Sequence, residues 1–184
     1  MITFTVKIKC MEIHSINTER LILKPVHKED APFILELLNT PKWLKYIGDR
    51  NVHTTEEASQ YISEKMLPQF ERLGFGNYVV IRKQDNIPVG TCGLYDREGL
   101  DGVDLGFAFL PEYENQGFGF EAATALKEKA LTEFGLSKLV AITLMENTNS
   151  QRLLYKLGFA RKETVRLPSS ENDFYLFVFP EDQV

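Results

Sequence analysis

The segment of residues 106–134 constrains this chain most, because it joins a strand, a glycine-rich loop and a helix in one continuous run. The strand ends near Leu110, and after a polar turn the loop QGFG at residues 116–119 leads directly into the helix. Glycine lets the chain turn sharply and lets a phosphate approach the backbone without a Cβ clash. Because the free N–H groups and the dipole of a helix N-terminus attract an anion, the segment predicts a phosphate or pyrophosphate site. A plain glycine-rich turn between a strand and a helix is the alternative.

The size and charge of the chain limit the class of protein. A length of 184 residues is enough for one domain with a sizeable core, so we expect a single domain over residues 1–184, with residues 1–12 as a further N-terminal strand. The net charge of −5 argues against a nucleic-acid surface, which needs a basic stripe. The same charge is compatible with a cationic amine substrate, although solubility alone is the favoured explanation of it.

Cysteine and histidine usage argues against a metal centre. The two cysteines, Cys10 and Cys92, form no CxxC pair, and the three histidines are scattered, so we expect neither a disulfide framework nor a zinc site. The N-terminal run alternates apolar residues with lysines, unlike the apolar core of a signal peptide. Because no run of about 18 apolar residues occurs, we expect a cytoplasmic protein without a membrane span.

Hydrophobic periodicity predicts an α/β fold with a mixed sheet. Strands are predicted at residues 20–25, 78–82, 88–95, 103–110, 138–144, 159–165 and 173–179, and helices at residues 27–38, 54–73, 120–134 and 147–157. The run KLVAITL at residues 138–144 lacks alternation, which is typical of a strand buried on both faces. The short aromatic segment from Lys42 to Gly48 is interpreted as a lid packed on the core.

Three pieces of sequence, in this order and spacing, resemble the GNAT family of acyl-CoA-dependent N-acyltransferases. TERLIL at residues 18–23 resembles the opening strand of the RimJ/RimL branch, which acetylates protein N-termini and other amines. QGFG at residues 116–119 resembles the pyrophosphate loop Q/R-x-x-G-x-G/A, and residues 147–159 resemble the last acetyl-CoA element. The resemblance runs from about Ile16 to Phe179. It implies the GNAT fold, which is a mainly antiparallel mixed sheet with helices on both faces.

The resemblance also implies acetyl-CoA as co-substrate, no metal, and a set of cofactor contacts. The strand residues Phe107, Ala108 and Phe109 are expected to offer backbone groups to the pantetheine amides and the acetyl carbonyl. The pyrophosphate is expected on Gln116, Gly117, Phe118, Gly119 and Phe120. Asn147 and Asn149 are expected at the second strand–helix junction, where helix capping is an equal alternative. Glu121 stands where the family has glycine or alanine, and we expect its carboxylate to point away from the pyrophosphate.

Two side chains are predicted to carry the chemistry. Ser150 is the expected partner of the departing thiolate, because it shares the inward helix face and stands where RimL-like enzymes have a serine. Tyr155 lies off that face, about 100° around the helix, and is interpreted as structural. Asp104 is the expected base on the strand before the loop, with a solvated strand-end residue as the alternative. Glu146 is a weaker candidate, and water alone is a further alternative.

The predicted activity is transfer of an acetyl group from acetyl-CoA to a primary amine by direct attack in a ternary complex. The acceptor is expected to be a peptide N-terminus or a small molecule, with no nucleic acid or membrane as partner and a monomer or homodimer as assembly. The segment from Trp43 to Gly48, the helix after His53 and the loop at residues 168–173 are expected to recognise it. The acids Glu56, Glu57 and Glu171 are expected to attract a cationic amine.

Two other classes of protein are alternatives to this activity. A GNAT-like module that binds an acyl-CoA without turnover, as a sensor or interaction partner, stays open. A dinucleotide-binding oxidoreductase fits poorly, because the loop lacks a third glycine and follows an antiparallel meander.

Overall fold

Eight strands form one twisted sheet in the computed structural model, which describes residues 15–168 and 170–180. The strands are β1 Ile16–Asn17, β2 Leu21–Pro25, β3 Asn77–Arg82, β4 Ile87–Tyr95, β5 Val103–Phe109, β6 Leu139–Leu144, β7 Ala160–Arg166 and β8 Asp173–Val178. Their spatial order is β1-β2-β3-β4-β5-β6-β8-β7, and β5–β6 is the parallel pair among otherwise antiparallel neighbours. The predicted mixed, mainly antiparallel sheet is therefore confirmed. The strand predicted over residues 1–12 lies outside the described residues.

Six α-helices accompany the sheet among the described residues. They are α1 Ala31–Leu38, α2 Pro41–Tyr46, α3 Thr55–Tyr61, α4 Leu67–Leu73, α5 Phe118–Thr132 and α6 Thr148–Lys156. The predicted helix over residues 54–73 contains a π-helical turn, Ile62–Met66, between α3 and α4. This turn ends just before Pro68, which lacks an N–H, and the Leu67 N–H donates to the Ile62 carbonyl.

The aromatic segment after α1 is helical, which the sequence interpretation missed. In the sequence, the pair Thr40-Pro41 indicates only the end of the preceding helix, because proline cannot continue it. The Thr40 hydroxyl accepts the Trp43 N–H and Pro41 occupies the first turn, so this pair also begins α2. Trp43 is the buried residue of this short helix, which agrees with the predicted packing on the core.

Helices cover both faces of the sheet. On one face, Phe109 of β5 lies against the start of α5, which buries an apolar stripe of Ala122, Ala123, Leu126 and Ala130. On the other face, Tyr95 of β4 shares a cavity wall with Tyr61 of α3. Burying a large aliphatic side chain such as Leu126 contributes about 1.5–3 kcal/mol.

The sheet divides where its two parallel strands meet. β5 and β6 pair only at Val103↔Leu139 and Asp104↔Val140, and beyond these residues they separate. β4 continues to pair with the other edge of β5 as far as Phe109. The second edge of β5 therefore faces an open gap, and this gap defines the candidate site.

Candidate active site

A cavity of about 800 Å³ occupies the gap between β5 and β6. Its walls come from β5, β6, the start of α5 and α6 on one side, and from α2, α3 and the π-helical turn on the other. Eight of the ten predicted cofactor-binding residues line it together with both predicted catalytic residues, Ser150 and Asp104. The eight are Phe107, Ala108, Phe109, Gly117, Gly119, Phe120, Asn147 and Asn149. One cavity thus unites β5, the glycine loop and the residues after β6, whereas residues 18–23 do not line it.

The backbone of β5 presents unpaired groups to this cavity. The Val103 N–H donates across the gap to the Lys138 carbonyl at 3.1 Å, whereas the Leu110 N–H donates to Val89 on the β4 side at 3.0 Å. Because N–H and C=O directions alternate along a strand, Phe107 and Phe109 direct their backbone groups into the gap. The Ala108 groups are directed toward β4. A strand edge of this kind accepts an extended amide-containing ligand as it would another strand.

The glycine loop opens into the same cavity. Gly117 has a φ of +84° and is the N-cap of α5, whose first intrahelical bond runs from the Glu121 N–H to the Gly117 carbonyl. The N–H groups of Phe118, Gly119 and Phe120 are left without a helical acceptor, as at every helix start. A Cβ on Gly119 would meet Leu153 at 3.2 Å, so glycine keeps this corner open. The arrangement fits a pyrophosphate.

Gln116 and Phe118 differ from the other predicted contacts, because neither lines the cavity. The Gln116 amide donates to the Glu112 carbonyl at 2.7 Å, and Phe118 is only 5% exposed. The contribution of both residues to a phosphate site is therefore limited to their backbone groups.

Glu121 connects the glycine loop to the start of β2. Its carboxylate accepts the Thr18 hydroxyl at 2.6 Å, the Arg20 backbone N–H at 2.7 Å and the Arg20 Nε at 2.7 Å. Arg20 in turn donates to the Gln116 carbonyl at 3.0 Å, and its guanidinium lies 4.7 Å from the centre of the Phe118 ring. Glu121 does not line the cavity, so its carboxylate is turned away as expected. The residue that looked like a departure from the family pattern braces the loop.

The second junction, between β6 and α6, brings the other predicted residues to the cavity. The Asn147 side chain accepts the Ser150 N–H at 3.2 Å, which makes it the N-cap of α6 as well as a wall residue. Arg152 and Lys156 of the same helix also line the cavity and add positive charge. Tyr155 does not line it; its side chain is 53% exposed and its ring packs against Phe177.

Asp104 lies at the point where β5 and β6 divide. Its residue is only 2% exposed, so the alternative of a solvated strand-end residue is wrong. One carboxylate oxygen accepts Arg97 Nε at 2.6 Å and the other accepts the Ile142 N–H at 3.1 Å. Burial raises the pKa of the Asp104 carboxyl, and the two hydrogen bonds oppose that shift. Both oxygens are engaged by donors, which is the environment of an ionised carboxylate.

Several cavity residues were not found from the sequence. Arg97 stacks on Tyr95, with its guanidinium carbon 4.9 Å from the ring centre. The Tyr95 ring covers two glycines paired across β4 and β5, Gly93 and Gly106, where a Cβ would meet it at 2.6 and 2.8 Å. A glycine inside a strand indicates that another group approaches the backbone closely, and this was the available sequence signal. That Gly93 and Gly106 lie opposite each other, under the same tyrosine ring, becomes visible only in the folded sheet.

Helix α2 contributes to the cavity wall, and two of its lysines reach residues that follow β5 and β6. Its role as a lid stays a prediction. Lys42 forms an ion pair with Glu114 after β5, and Lys45 lies 3.9 Å from Glu146 after β6. Glu146 is thus an exposed ion-pair partner. The predicted attraction of a cationic amine by Glu56, Glu57 and Glu171 has no counterpart in the cavity, because none of the three lines it.

Comparison with known proteins identifies the family. The family model described as "Acetyltransferase (GNAT) domain" matches residues 20–160, so the chain belongs to this family of acetyltransferases. An uncharacterized N-acetyltransferase of Bacillus subtilis, YnaD, is 27% identical over 147 residues, which cover 80% of this chain and 83% of that protein.

Solved structures share the fold over most of its length. A GNAT-family acetyltransferase from Bacillus anthracis has a TM-score of 0.75 and 26% identity, covering 92% of this chain and all of that one. RimL, the ribosomal L7/L12 alpha-N-protein acetyltransferase, solved in complex with coenzyme A, has a TM-score of 0.76 at 16% identity, with 90% and 97% covered.

Two further observations concern the described residues only. They contain no group of three or more histidine, cysteine, aspartate or glutamate side chains placed to hold a metal ion. None of the helices in this part of the chain is long and apolar enough to cross a membrane.

Proposed function

We propose that this protein transfers the acetyl group of acetyl-CoA to a primary amine by direct attack in a ternary complex. The observation that carries the proposal is the unpaired edge of β5, which leads to the glycine-opened start of α5 within one cavity. An elongated ligand with amides at one end and a pyrophosphate at the other fits both features. Arg152 and Lys156 add charge that suits its phosphates.

The reaction joins the amine nitrogen to the carbonyl carbon of the thioester and breaks the carbon–sulfur bond. The attacking amine loses one proton, and the sulfur gains one. Backbone N–H groups of Phe107 and Phe109 are placed to stabilise the negative charge that develops on the carbonyl oxygen. Holding both reactants in one cavity supplies a further large part of the rate.

Ser150 is the proposed partner of the sulfur. It lines the cavity in the first turn of α6, and its backbone N–H is fixed by Asn147. A serine hydroxyl is a weak acid, so it acts by hydrogen bonding to the thiolate or by relaying a proton from water.

The assignment of Asp104 as the base stays a prediction. Its carboxylate is oriented by Arg97 and Ile142, so taking a proton from the amine would require one of these hydrogen bonds to be given up. Water that leads to solvent is the other acceptor of this proton. Asp104 then serves by holding Arg97.

The acceptor is a peptide N-terminus or a small amine. RimL is by its name an alpha-N-protein acetyltransferase, which supports a peptide N-terminus. The wall formed by α2, α3 and the π-helical turn is placed to recognise the acceptor, because it faces the strand edge across the cavity.

Thiol release from acetyl-CoA across a panel of amines and N-terminal peptides tests this proposal. We expect release above background with at least one acceptor, together with a product heavier by one acetyl group. Cys92 will not interfere, because burial raises the pKa of its thiol to about 12. Binding of acetyl-CoA without release for any acceptor would favour the sensor.

A further inference from the structure

The charges of the cavity wall are mostly positive, although the chain as a whole has a net charge of −5. The wall contains two carboxylates, and each is already paired: Asp104 with Arg97, and Glu114 with Lys42. Arg50, Lys65, Arg152 and Lys156 also line the cavity and have no acidic partner among the described residues. A polycationic acceptor therefore meets no unpaired carboxylate on this wall, and an anionic acceptor meets several cations.

Arg97 is the most constrained of these cations. Its Nε donates to the buried Asp104 carboxylate, and its guanidinium plane stacks on Tyr95. These two contacts leave its terminal Nη groups without a hydrogen-bond acceptor among the described residues. The Arg97 side chain remains 37% exposed while lining the cavity. A guanidinium held at Nε and free at its terminal nitrogens is preorganised to bind a carboxylate in two hydrogen bonds.

Lys65 belongs to the same end of the cavity. It lies one helical turn before Gln69, whose amide nitrogen donates to the Leu94 carbonyl at 2.6 Å. Leu94 pairs with Leu105, the residue after Asp104. Lys65 is exposed, lines the cavity and forms no ion pair with another described residue. A flexible ammonium thus accompanies the fixed guanidinium.

These two cations are distant from the phosphate end. β5 runs from the division at Asp104 to Phe109 before the glycine loop, and five residues of strand span about 17 Å. The phosphates of acetyl-CoA have their own partners at the start of α5 and on α6. Arg97 and Lys65 therefore face a different ligand, which in the ternary complex is the acceptor.

Buried polar atoms on the acceptor side support a polar ligand there. Trp43 Nε1 and Asn77 Oδ1 belong to residues of this wall, and neither atom has a hydrogen-bond partner among the described residues. An unsatisfied buried group of this kind costs about 1–3 kcal/mol. A hydrogen-bonding ligand that reaches these atoms recovers part of that cost.

We propose that Arg97 and Lys65 bind a carboxylate of the acceptor, and that the acceptor is an amino acid or a similar amine with a carboxylate a few bonds from its nitrogen. The inference rests on the proposed acetyl transfer and deepens it. Nearby cations also disfavour the protonated form of the amine, which lowers the pKa of the acceptor. The cavity then needs no free carboxylate as a base.

Matched acceptors test the carboxylate site. The probes are the L-amino acids, their α-carboxamides, which lack the negative charge, and spermidine as a polycation, with thiol release as the readout. We expect kcat/KM for the best amino acid to exceed that of its carboxamide by about tenfold or more, since the charge-assisted pair is lost in the amide. The preference should shrink as salt rises, because Lys65 is exposed and screened.

Variants identify the residues. Lys65→Gln should raise KM for the amino acid by about three- to fivefold and leave kcat, KM for acetyl-CoA and the carboxamide unchanged. Lys28→Gln removes an exposed lysine outside the cavity and should change nothing. Arg97→Lys keeps the positive charge beside Asp104 but loses the two parallel N–H donors of the guanidinium. It should therefore reduce the preference for amino acids over their carboxamides without unfolding the protein.

The outcomes separate this inference from the proposed function. If spermidine or the carboxamides are acetylated as efficiently as the acids and Lys65→Gln has no effect, the carboxylate site is overturned and acetyl transfer stands. If no acceptor releases thiol, acetyl transfer fails, and thermal shifts of the CoA-saturated protein with the same acid and amide pairs test the site alone. Equal shifts, or none, would overturn it.

Discussion

Glu121 illustrates how a single side chain can act on the cofactor site without touching it. Its carboxylate is only 17% exposed and holds Thr18 and Arg20, and Arg20 reaches the carbonyl of Gln116 in the glycine loop. Partial burial raises the pKa of Glu121, but the hydrogen bonds from Thr18 and Arg20 outweigh it, so its net pKa lies below the ordinary value. The ionised form is therefore the one that stabilises the fold.

The Glu121→Gln variant should lose about 1–2 kcal/mol of unfolding free energy at pH 7, because charge-assisted hydrogen bonds become neutral ones. A depressed folded-state pKa gives stability that is present above the unfolded pKa and is lost as pH falls through the folded pKa. The difference in unfolding free energy between Glu121→Gln and the unmodified protein should therefore decrease as the pH falls below about 4. Denaturant unfolding at several pH values measures it.

The matched control is Glu128→Gln, which removes an exposed carboxylate of α5 that has no ion-pair partner among the described residues. It should change stability little at any pH. The affinity for acetyl-CoA should fall in Glu121→Gln and not in the control, since only Glu121 braces the loop. Equal affinities in the two variants would contradict the bracing role.

Ser150→Ala tests the proposed role of Ser150 as the partner of the departing sulfur. We expect kcat to fall by about tenfold, less than for a stronger general acid, with KM for acetyl-CoA nearly unchanged. Ser137→Ala, an exposed serine outside the cavity, is the control. Unchanged turnover in the Ser150 variant would show that water alone protonates the sulfur.

At the scale of elements, the separation of β5 from β6 makes the site. Two pairs of residues join these strands, and the Asp104 carboxylate accepts the Ile142 N–H where the backbone ladder ends. Because the two strands separate here, the Ile142 N–H has no backbone acceptor on β5, and the Asp104 side chain accepts its hydrogen bond instead. The same carboxylate accepts Arg97 Nε. The position of the Arg97 charge, at the end of the cavity proposed for the acceptor, therefore depends on where β5 and β6 separate.

Gly106→Ala tests the close packing of the Tyr95 ring on the backbone of Gly106. A Cβ would lie 2.8 Å from the Tyr95 ring, so the ring must shift and Arg97 shifts with it. We expect KM for the acceptor to rise by about fivefold or more, with overpacking costing about 1–3 kcal/mol of stability. KM for acetyl-CoA is the internal control, because the glycine loop lies at the other end of β5. A rise confined to acetyl-CoA would contradict this account.

At the scale of the whole molecule, ligand binding should be visible as stability. Acetyl-CoA at about 100 times its Kd adds about 2.7 kcal/mol to the native state. For a chain of this size that corresponds to a rise in Tm of about 5–10 °C. A thermal shift assay measures this, with NAD as the control ligand. Stabilisation by NAD in place of acetyl-CoA would contradict the assigned cofactor.

Much of the fold follows from local patterns. Strands β2 to β8 and the principal helices lie close to their predicted ranges, because each carries its own periodicity and its own start or stop signal. β1 was missed because two residues carry no period. Helix α2 was missed because its Thr40-Pro41 start also ends the helix before it, and a sequence shows only one boundary there.

The sequence by itself determined the order of the elements, the glycine loop at the start of α5 and the resemblance to GNAT enzymes, since all of these reside in contiguous residues. Only the tertiary structure decided which charges meet. Glu121 and Arg20 are about a hundred residues apart along the chain. Arg97 donates to Asp104 of the next strand and stacks on Tyr95, whose ring packs on the paired glycines Gly93 and Gly106. Such contacts depend on strand pairing and register, which no local pattern encodes.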